Sequence, residues 1–469
     1  MIVNKSLVRG VFPDLFKIAK VIPLPKTGDS NLLNNYRPIS ILPLLSKVFE
    51  KVVHKQLYRY FESRKIITNC QYGFRNSKST IQAILNQLQY LYENIDKGNV
   101  VISLFLDFRK AFDCVNHKIL LAKLERYGVR GVPLEWLSAY LRERQQFTIV
   151  GKARSPMHAV CTGVPQGSIL GPLLFLIFIN DLPNASNLFK YILFADDSTL
   201  TVSLPPGEVE ELSRIVNDEL RHVDQWMSCN KMAMNEDKTT YISFAYNSRP
   251  QELNLNIGKF SVKPTASTKF LGIFIDQNLS FKPHVQYLSS KISKSIGILY
   301  KLNKYLPFQA LNMLYRTLVH PYLLYGSEAW LATHQNVVGR LVVLQKRACR
   351  AVCCLPYNDH TSIHFKKMKV LKLQDLNYYQ TAIFAYRTVK MSQNSFISDN
   401  LVRFDSLHSY ETRSNHHYSI PKYRRKTTQF CINYRLTHIW NNLPQCIITS
   451  SSSLTQFKKT LMLYLISKY

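Results

Sequence analysis

Acid is what this sequence is short of. Against 60 lysines and arginines it sets 30 aspartates and glutamates, a formal charge of +30 over 469 residues. Such a deficit argues against a cationic partner and for a polyanion, whose counterions are released on binding. The basic residues run along the whole chain rather than in a tail, which favours an extended binding track. The nine cysteines are odd in number and follow no regular framework. That excludes a disulfide scaffold and points to a reduced, intracellular protein. The opening "MIVNKSLVRGVFPDLF" lacks the apolar core of a signal peptide. The longest apolar run, Ile169 to Ile179, is too short to span a bilayer and reads as a buried helix, so no membrane partner is expected. No repeat is present, and "TSSSSL" (449–454) is a brief polar linker. Hydrophobic residues are plentiful at 46%, which rules out a disordered chain, and the length suggests two or three domains.

Periodicity gives a coarse map. "AKVIPLPKTGDSNLLNNYRPISILP" combines a strand-like run with loop chemistry and basic residues. Helical spacing follows over Leu44–Tyr60 and "STIQAILNQLQYLYENI", and helices are expected near Lys118–Tyr127, Leu134–Arg142 and Gly207–Met227. "NVVISLFLDF" is a continuous β-branched apolar run, typical of a buried strand ending at Asp107. "FKYILFADDSTLTVSL" reads as a hairpin with Asp196 and Asp197 at its turn, and "TKFLGIFID" as a strand-loop segment. After about residue 282 the pattern changes to basic amphipathic helices.

Asp107 and the Asp196–Asp197 doublet are carboxylates embedded in long hydrophobic strands. Each alone is an ordinary turn or cap residue. Together, if strand 100–106 lies beside the hairpin, they bring three like charges close, which is severely unfavourable without divalent cations. Two metals about 3.5–4 Å apart are the arrangement used for in-line phosphoryl transfer.

"LDFRKAFD" (106–113), "GVPQGSILGPLLF" (163–175) and "FADD" (194–197), in this order, resemble the palm motifs of a reverse transcriptase. "NYRPISILP" and "QYGFRNSKSTIQAI" before them, and "NEDKT" and "KFLGIFID" after them, are similar to non-LTR, LINE-type retrotransposon enzymes. "LVVLQKRACRAVCCLPYNDHT" and "IWNNLPQCIITSSSSLTQFKKTL" resemble the jockey/CR1-like branch. The similarity extends along nearly the whole chain.

The resemblance implies an α+β right-hand polymerase: fingers and palm (an antiparallel sheet plus helices) over 1–282, a helical thumb-like domain over 283–390 and a basic C-terminal region over 391–469. It implies RNA-directed DNA synthesis, extending a DNA primer with dNTPs on an RNA template. Asp107 and Asp196 would hold two Mg²⁺ ions, with Asp197 supporting them and Mn²⁺ able to substitute. Phe112 would exclude a ribose 2′-hydroxyl, while Asp113 is a structural acid. Gln166 and Gly167 would line the nascent pair, and Lys26, Arg37, Arg75 and Lys238 would contact the nucleotide. Phe270, Leu271 and Gly272 would form the primer grip. Each of these residues also has an ordinary structural role open to it, as a core ring, a turn or a solvated charge.

Cys349, Cys353, His360 and His364 are spaced like zinc ligands, but the cysteines share one apolar helix and no other knuckle feature accompanies them. Packing is the preferred reading. The 27 tyrosines and 25 phenylalanines offer stacking platforms, though most belong to cores. The family primes at a nicked chromosomal target, which implies the nucleus, with the cytoplasm as the alternative. The endonuclease expected of a full-length element has no counterpart here, so the chain reads as the 3′ portion of a longer frame. A non-catalytic nucleic-acid-binding remnant is the rival reading, and a group II intron enzyme is disfavoured by the "WNNLP" region.

Overall fold

The computed structural model describes residues 2–25, 29, 31–245, 252–393, 395–398, 401–403 and 417–469. In chain order the strands are β1 (Ile18–Pro25), β2 (Tyr36–Ile41), β3 (Val100–Leu106), β4 (Arg144–Val150), β5 (Ala153–Arg154) and β6 (His158–Val160). They continue as β7 (Lys190–Phe194), β8 (Asp197–Leu204), β9 (Thr240–Phe244), β10 (Leu255–Ile257), β11 (Phe260–Pro264), β12 (Ser267–Phe270) and β13 (Ile273–Asp276). The larger sheet, which holds the strands that the resemblance assigns to the palm, has six strands in the order β10-β11-β9-β3-β8-β7, antiparallel except where β11 runs parallel to β9. The smaller sheet, with strands that the resemblance assigns to the fingers, runs β2-β1-β4-β5, with β6 also on β4, and β1 and β4 are parallel.

Strand β3 sits inside the palm sheet between β8 and β9, and both of its faces are covered. Ile102, Leu104 and Leu106 enter the core on one side, and Val101 enters the core on the other. Burial on both faces is why this strand reads as an unbroken apolar run instead of alternating. Ser103 interrupts the run for a reason. The amide of Gln87, on the helix Thr80–Asp96, donates to Ser103 Oγ at 3.0 Å and to Thr201 Oγ1 at 2.8 Å, tying helix to sheet through a buried polar trio. That helix begins where Ser79 accepts the Gln82 N–H, an N-cap at the expected kind of residue.

The apolar run 169–179 is the helix Leu170–Ile179, nine of whose ten residues are buried. Its free N-terminal amides are met from another element. Glu50 Oε2 accepts from Ile169 N at 2.6 Å and Leu170 N at 3.2 Å, and Ser46 Oγ donates to Glu50 Oε1. Glu50 lies on the finger helix Leu44–Ser63 and is completely buried. Among the described residues no helix is long and apolar enough to cross a membrane.

From residue 282 on, the described chain is helical. Lys282–Leu302 packs against Gln335–Cys353, and Leu373–Met391 against Ile432–Asn441 and Leu454–Ser467. The stretch beyond 391 supplies apolar core as well as charge: Leu436, Trp440, Phe457 and Leu461 are buried in the cluster that holds the helix Leu373–Met391. This body docks on the palm helix Thr80–Asp96 through a latch. Asp96 accepts from the backbone N–H groups of Arg424 and Arg425 at 3.0 and 2.9 Å and from the Thr428 hydroxyl at 2.8 Å. Burial disfavours the ionised acid, but the Arg424 amide, the Thr428 hydroxyl and the Arg425 amide outweigh it and hold Asp96 below its ordinary value of 3.8. A depressed carboxylate stabilises the fold above its unfolded value, and that stabilisation is lost as pH falls below about 3.8. Asp96→Ala is expected to cost about 2–4 kcal/mol by urea unfolding, because it leaves these donors without an acceptor. It should also speed hydrogen exchange at the Arg424 and Arg425 amides. Unchanged exchange would show that the latch contributes nothing.

Candidate active site

Strands β7 and β8 are joined by a two-residue loop, Ala195–Asp196, with Phe194 paired to Asp197 across it. Such a tight loop requires a left-handed residue, and Ala195 takes that role at φ 56°. Strand β8 pairs with β3 in a register that sets Leu106 opposite Ser198. One step further along both strands stand Asp107 and Asp197. The register therefore brings Asp107 alongside the doublet at one end of the palm sheet.

Asp196 and Asp197 are both exposed at the turn, with crowding by nearby protein that partly desolvates them. That crowding, more than any single neighbour, raises the Asp196 carboxyl, and Asp107 adds repulsion while Arg37 and Lys238 oppose it. Asp197 is pushed up to about 6, by desolvation first and then by Asp196 and Asp107, with Lys238 opposing. Asp107 is held on several sides. Asn235 Nδ2 donates to Asp107 Oδ2 at 2.8 Å, the Asn235 N–H donates to the Asp107 carbonyl at 2.7 Å, and Lys238 Nζ lies 3.6 Å from Oδ2.

The "GVPQGS" loop forms the neighbouring wall. Gly163 has φ 86°, and a Cβ there would fall 2.7 Å from the Asp113 carbonyl oxygen. Gly167 has φ 127°, and its Cβ would fall 2.5 Å from the Ser40 carbonyl oxygen. Only glycine permits either approach. Gln166 donates to Asp113 Oδ1 at 3.0 Å, and its carbonyl accepts the Ser40 N–H at 2.8 Å, which fastens the loop to β2. The Phe112 ring is stacked on Phe175 with centroids 4.5 Å apart and meets the exposed Phe74 edge-on at 6.5 Å.

Arg37 is exposed on β2, and Lys26 lies outside the described residues. Arg75 is engaged elsewhere: its guanidinium donates to Glu62 Oε1 and Oε2 at 2.9 and 2.8 Å and to the Thr68 carbonyl at 2.8 Å. Phe270 ends β12, buried 5.7 Å from the Phe105 ring, and Leu271 and Gly272 make the β12–β13 turn with φ 45° and 90°. The Tyr325 hydroxyl donates to the Leu271 carbonyl, pinning that turn to the helical body. Among the described residues, no group of three or more His, Cys, Asp or Glu side chains is gathered closely enough to hold a metal ion, Asp107, Asp196 and Asp197 included. Cys349 is buried, and its free thiol is hydrogen-bonded to the free thiol of Cys353 on the same helix.

The family described as "Reverse transcriptase (RNA-dependent DNA polymerase)" matches residues 24–275, more than half of the chain, and that span contains the whole site. The chain belongs to this reverse transcriptase family. It is 29% identical over 375 residues to a probable RNA-directed DNA polymerase from transposon BS of Drosophila melanogaster, covering 76% of this chain and 40% of that protein. It is 26% identical over 387 residues to the RNA-directed DNA polymerase from mobile element jockey of the same organism, covering 80% and 42%. The reverse transcriptase chain thus spans about two-fifths of the length of these curated relatives. Among solved structures, apo telomerase from Candida tropicalis aligns at 12% identity and a TM-score of 0.44 over 76% of this chain and 62% of that one.

Two residues at the reverse transcriptase site are not legible as site residues in the sequence. Asn235 holds Asp107, and Gln71 accepts from the Ala195 N–H at 3.1 Å. Both stand inside family-like motifs, "NEDKT" and "QYGFR".

Proposed function

We propose that this chain is the polymerase part of a non-LTR retrotransposon enzyme, extending a DNA primer with dNTPs on an RNA template. One observation carries the reading: the β3–β8 register sets Asp107 beside Asp196 and Asp197 within the family-matched span. The donor set suits hard divalent cations, because all three ligands are carboxylates and their ionised forms repel one another. Asp107 and Asp196 would hold two Mg²⁺ ions, with Asp197 in support and Mn²⁺ as a substitute. Bound metal supplies a more acidic primer 3′-hydroxyl and charge stabilisation of the pyrophosphate.

The chain's own residues supply the rest. Asn235 and Lys238 orient Asp107, and Lys238 is placed to meet a phosphate or give a proton. Arg37, with Lys26, offers positive charge to the triphosphate. For Arg75 to do so it would first have to leave Glu62. Gln166 and Gly167 present a polar side chain and close backbone to the nascent pair, Phe112 guards the sugar, and the Phe270–Leu271–Gly272 turn bears on the primer end. In this reading residues 1–282 are fingers and palm, 283–390 a thumb-like body and 391–469 a basic C-terminal region, acting in the nucleus where a chromosomal target is primed.

The test is extension of oligo(dT) on poly(rA) with dTTP and Mg²⁺. Labelled product that lengthens with time is expected. A folded chain that binds the duplex yet adds no nucleotide would establish the non-catalytic remnant instead.

A further inference from the structure

The "QYGFR" segment reaches the doublet from outside the palm sheet. Cys70 and Tyr72 exchange backbone hydrogen bonds with Leu193, at 2.9 and 2.7 Å, so that Gln71 lies parallel beside the end of β7. The Gln71 side chain is 1% exposed. Its Oε1 accepts from the Gly73 N–H at 2.8 Å and from the Ala195 N–H at 3.1 Å. Two converging backbone donors require an acceptor there, which decides the orientation of the amide. Gly73 closes the contact, since a Cβ on it would fall 2.5 Å from the Ala195 nitrogen.

Ala195 is the residue this clamp grips, and it is under strain. A non-glycine residue in the left-handed region costs on the order of 1–2 kcal/mol and persists only when its surroundings impose it. The next residue is Asp196. A relaxation of φ at Ala195 rotates the peptide that carries that carboxylate, so the amide oxygen of Gln71 acts on the doublet without touching it.

We propose that Gln71 is a positioning residue that holds the Ala195–Asp196 turn in its strained form and thereby sets the cation affinity of the carboxylate cluster. This rests on the polymerase reading only for its consequence in synthesis; the cation affinity is a property of the protein alone. The competing account is that Gln71 merely satisfies two buried amides and contributes stability. Gln71→Met keeps the volume and removes the acceptor. Gln71→Glu keeps an acceptor oxygen and sacrifices no described contact, because Gln71 Nε2 has no partner among the described residues.

The experiment is Mn²⁺ binding to the whole chain, followed by electron paramagnetic resonance, for the wild type, both variants and Asp196→Asn as the lost-ligand reference. Gln71→Met is expected to remain folded by circular dichroism and to bind Mn²⁺ about 10–100-fold more weakly, the usual loss for a residue that orients a ligand. Gln71→Glu is expected to recover most of that loss. Wild-type Mn²⁺ affinity in Gln71→Met, or a Gln71→Glu variant as weak as Gln71→Met, would overturn the proposal. Primer extension is scored separately. A wild-type chain that binds Mn²⁺ and extends nothing refutes the polymerase reading and leaves the Gln71 result standing.

Discussion

Asp196→Asn is expected to lower the rate of primer extension by at least about a thousand-fold, roughly 4 kcal/mol of transition-state stabilisation. Asparagine keeps the shape of the side chain at the hairpin turn and removes the charge that a divalent cation needs. Binding of the template–primer duplex should stay within about twofold of wild type, because that affinity comes from basic residues spread along the chain and not from one acid. The substitution has a second signature inside the protein. Asp196 is one of the charges that raise Asp197, which stands at about 6, so its removal should bring Asp197 down toward its ordinary value. The sign for stability follows from linkage. A carboxylate raised in the folded state destabilises the fold where it is ionised, above that value, and the penalty is absent below the ordinary value of 3.8. Asp196→Asn should therefore raise the melting temperature slightly at pH 7.5 and leave it unchanged near pH 3.5. Undiminished synthesis in this variant would show that the chemistry is not built on the doublet.

Much of this site is legible in the sequence because its parts are local. The apolar run ending at Asp107 and the hairpin around Asp196–Asp197 are each contained in fewer than twenty residues. The match between them depends only on which strands pair, and β3 does lie beside β8. What stays hidden is set by contacts across long separations. Gln71 and Ala195 are 124 positions apart, Asn235 and Asp107 128, and Glu50 and Ile169 119. Nothing in the periodicity around Gln71 or Glu50 distinguishes a buried polar side chain with a distant backbone partner from a solvated one. The helices behave in the opposite way. Leu44–Ser63, Thr80–Asp96 and Val209–Asn230 are legible to within a few residues because their apolar stripes are local. The latch at Asp96 is illegible for the same reason as Gln71: its partners lie 328 and more residues away.

The identity of the sugar is the point at which Phe112 is expected to show its effect. The ring is fixed on one face by Phe175, which is fully buried in the apolar helix Leu170–Ile179, and Phe74 meets it edge-on. A ring wedged in this way cannot swing aside when a bulkier substrate enters, and stacked aromatic pairs resist separation by about 0.5–1.5 kcal/mol beyond their buried area. Phe112→Val removes the ring from that wall while leaving an apolar side chain on the same backbone. The ratio of kcat/KM for dTTP over UTP is expected to fall on the order of a hundred-fold, about 2–3 kcal/mol of lost discrimination, with the dTTP value itself changed far less. Phe175→Leu should lower the ratio too, by a smaller factor, because it frees the ring instead of deleting it. Equal ratios in wild type and Phe112→Val would mean that the ring is only a core residue and that sugar selection is made elsewhere. A lower ratio in both variants would assign it to the Phe112–Phe175 stack, where the buried helix converts its own rigidity into a choice between two nucleotides.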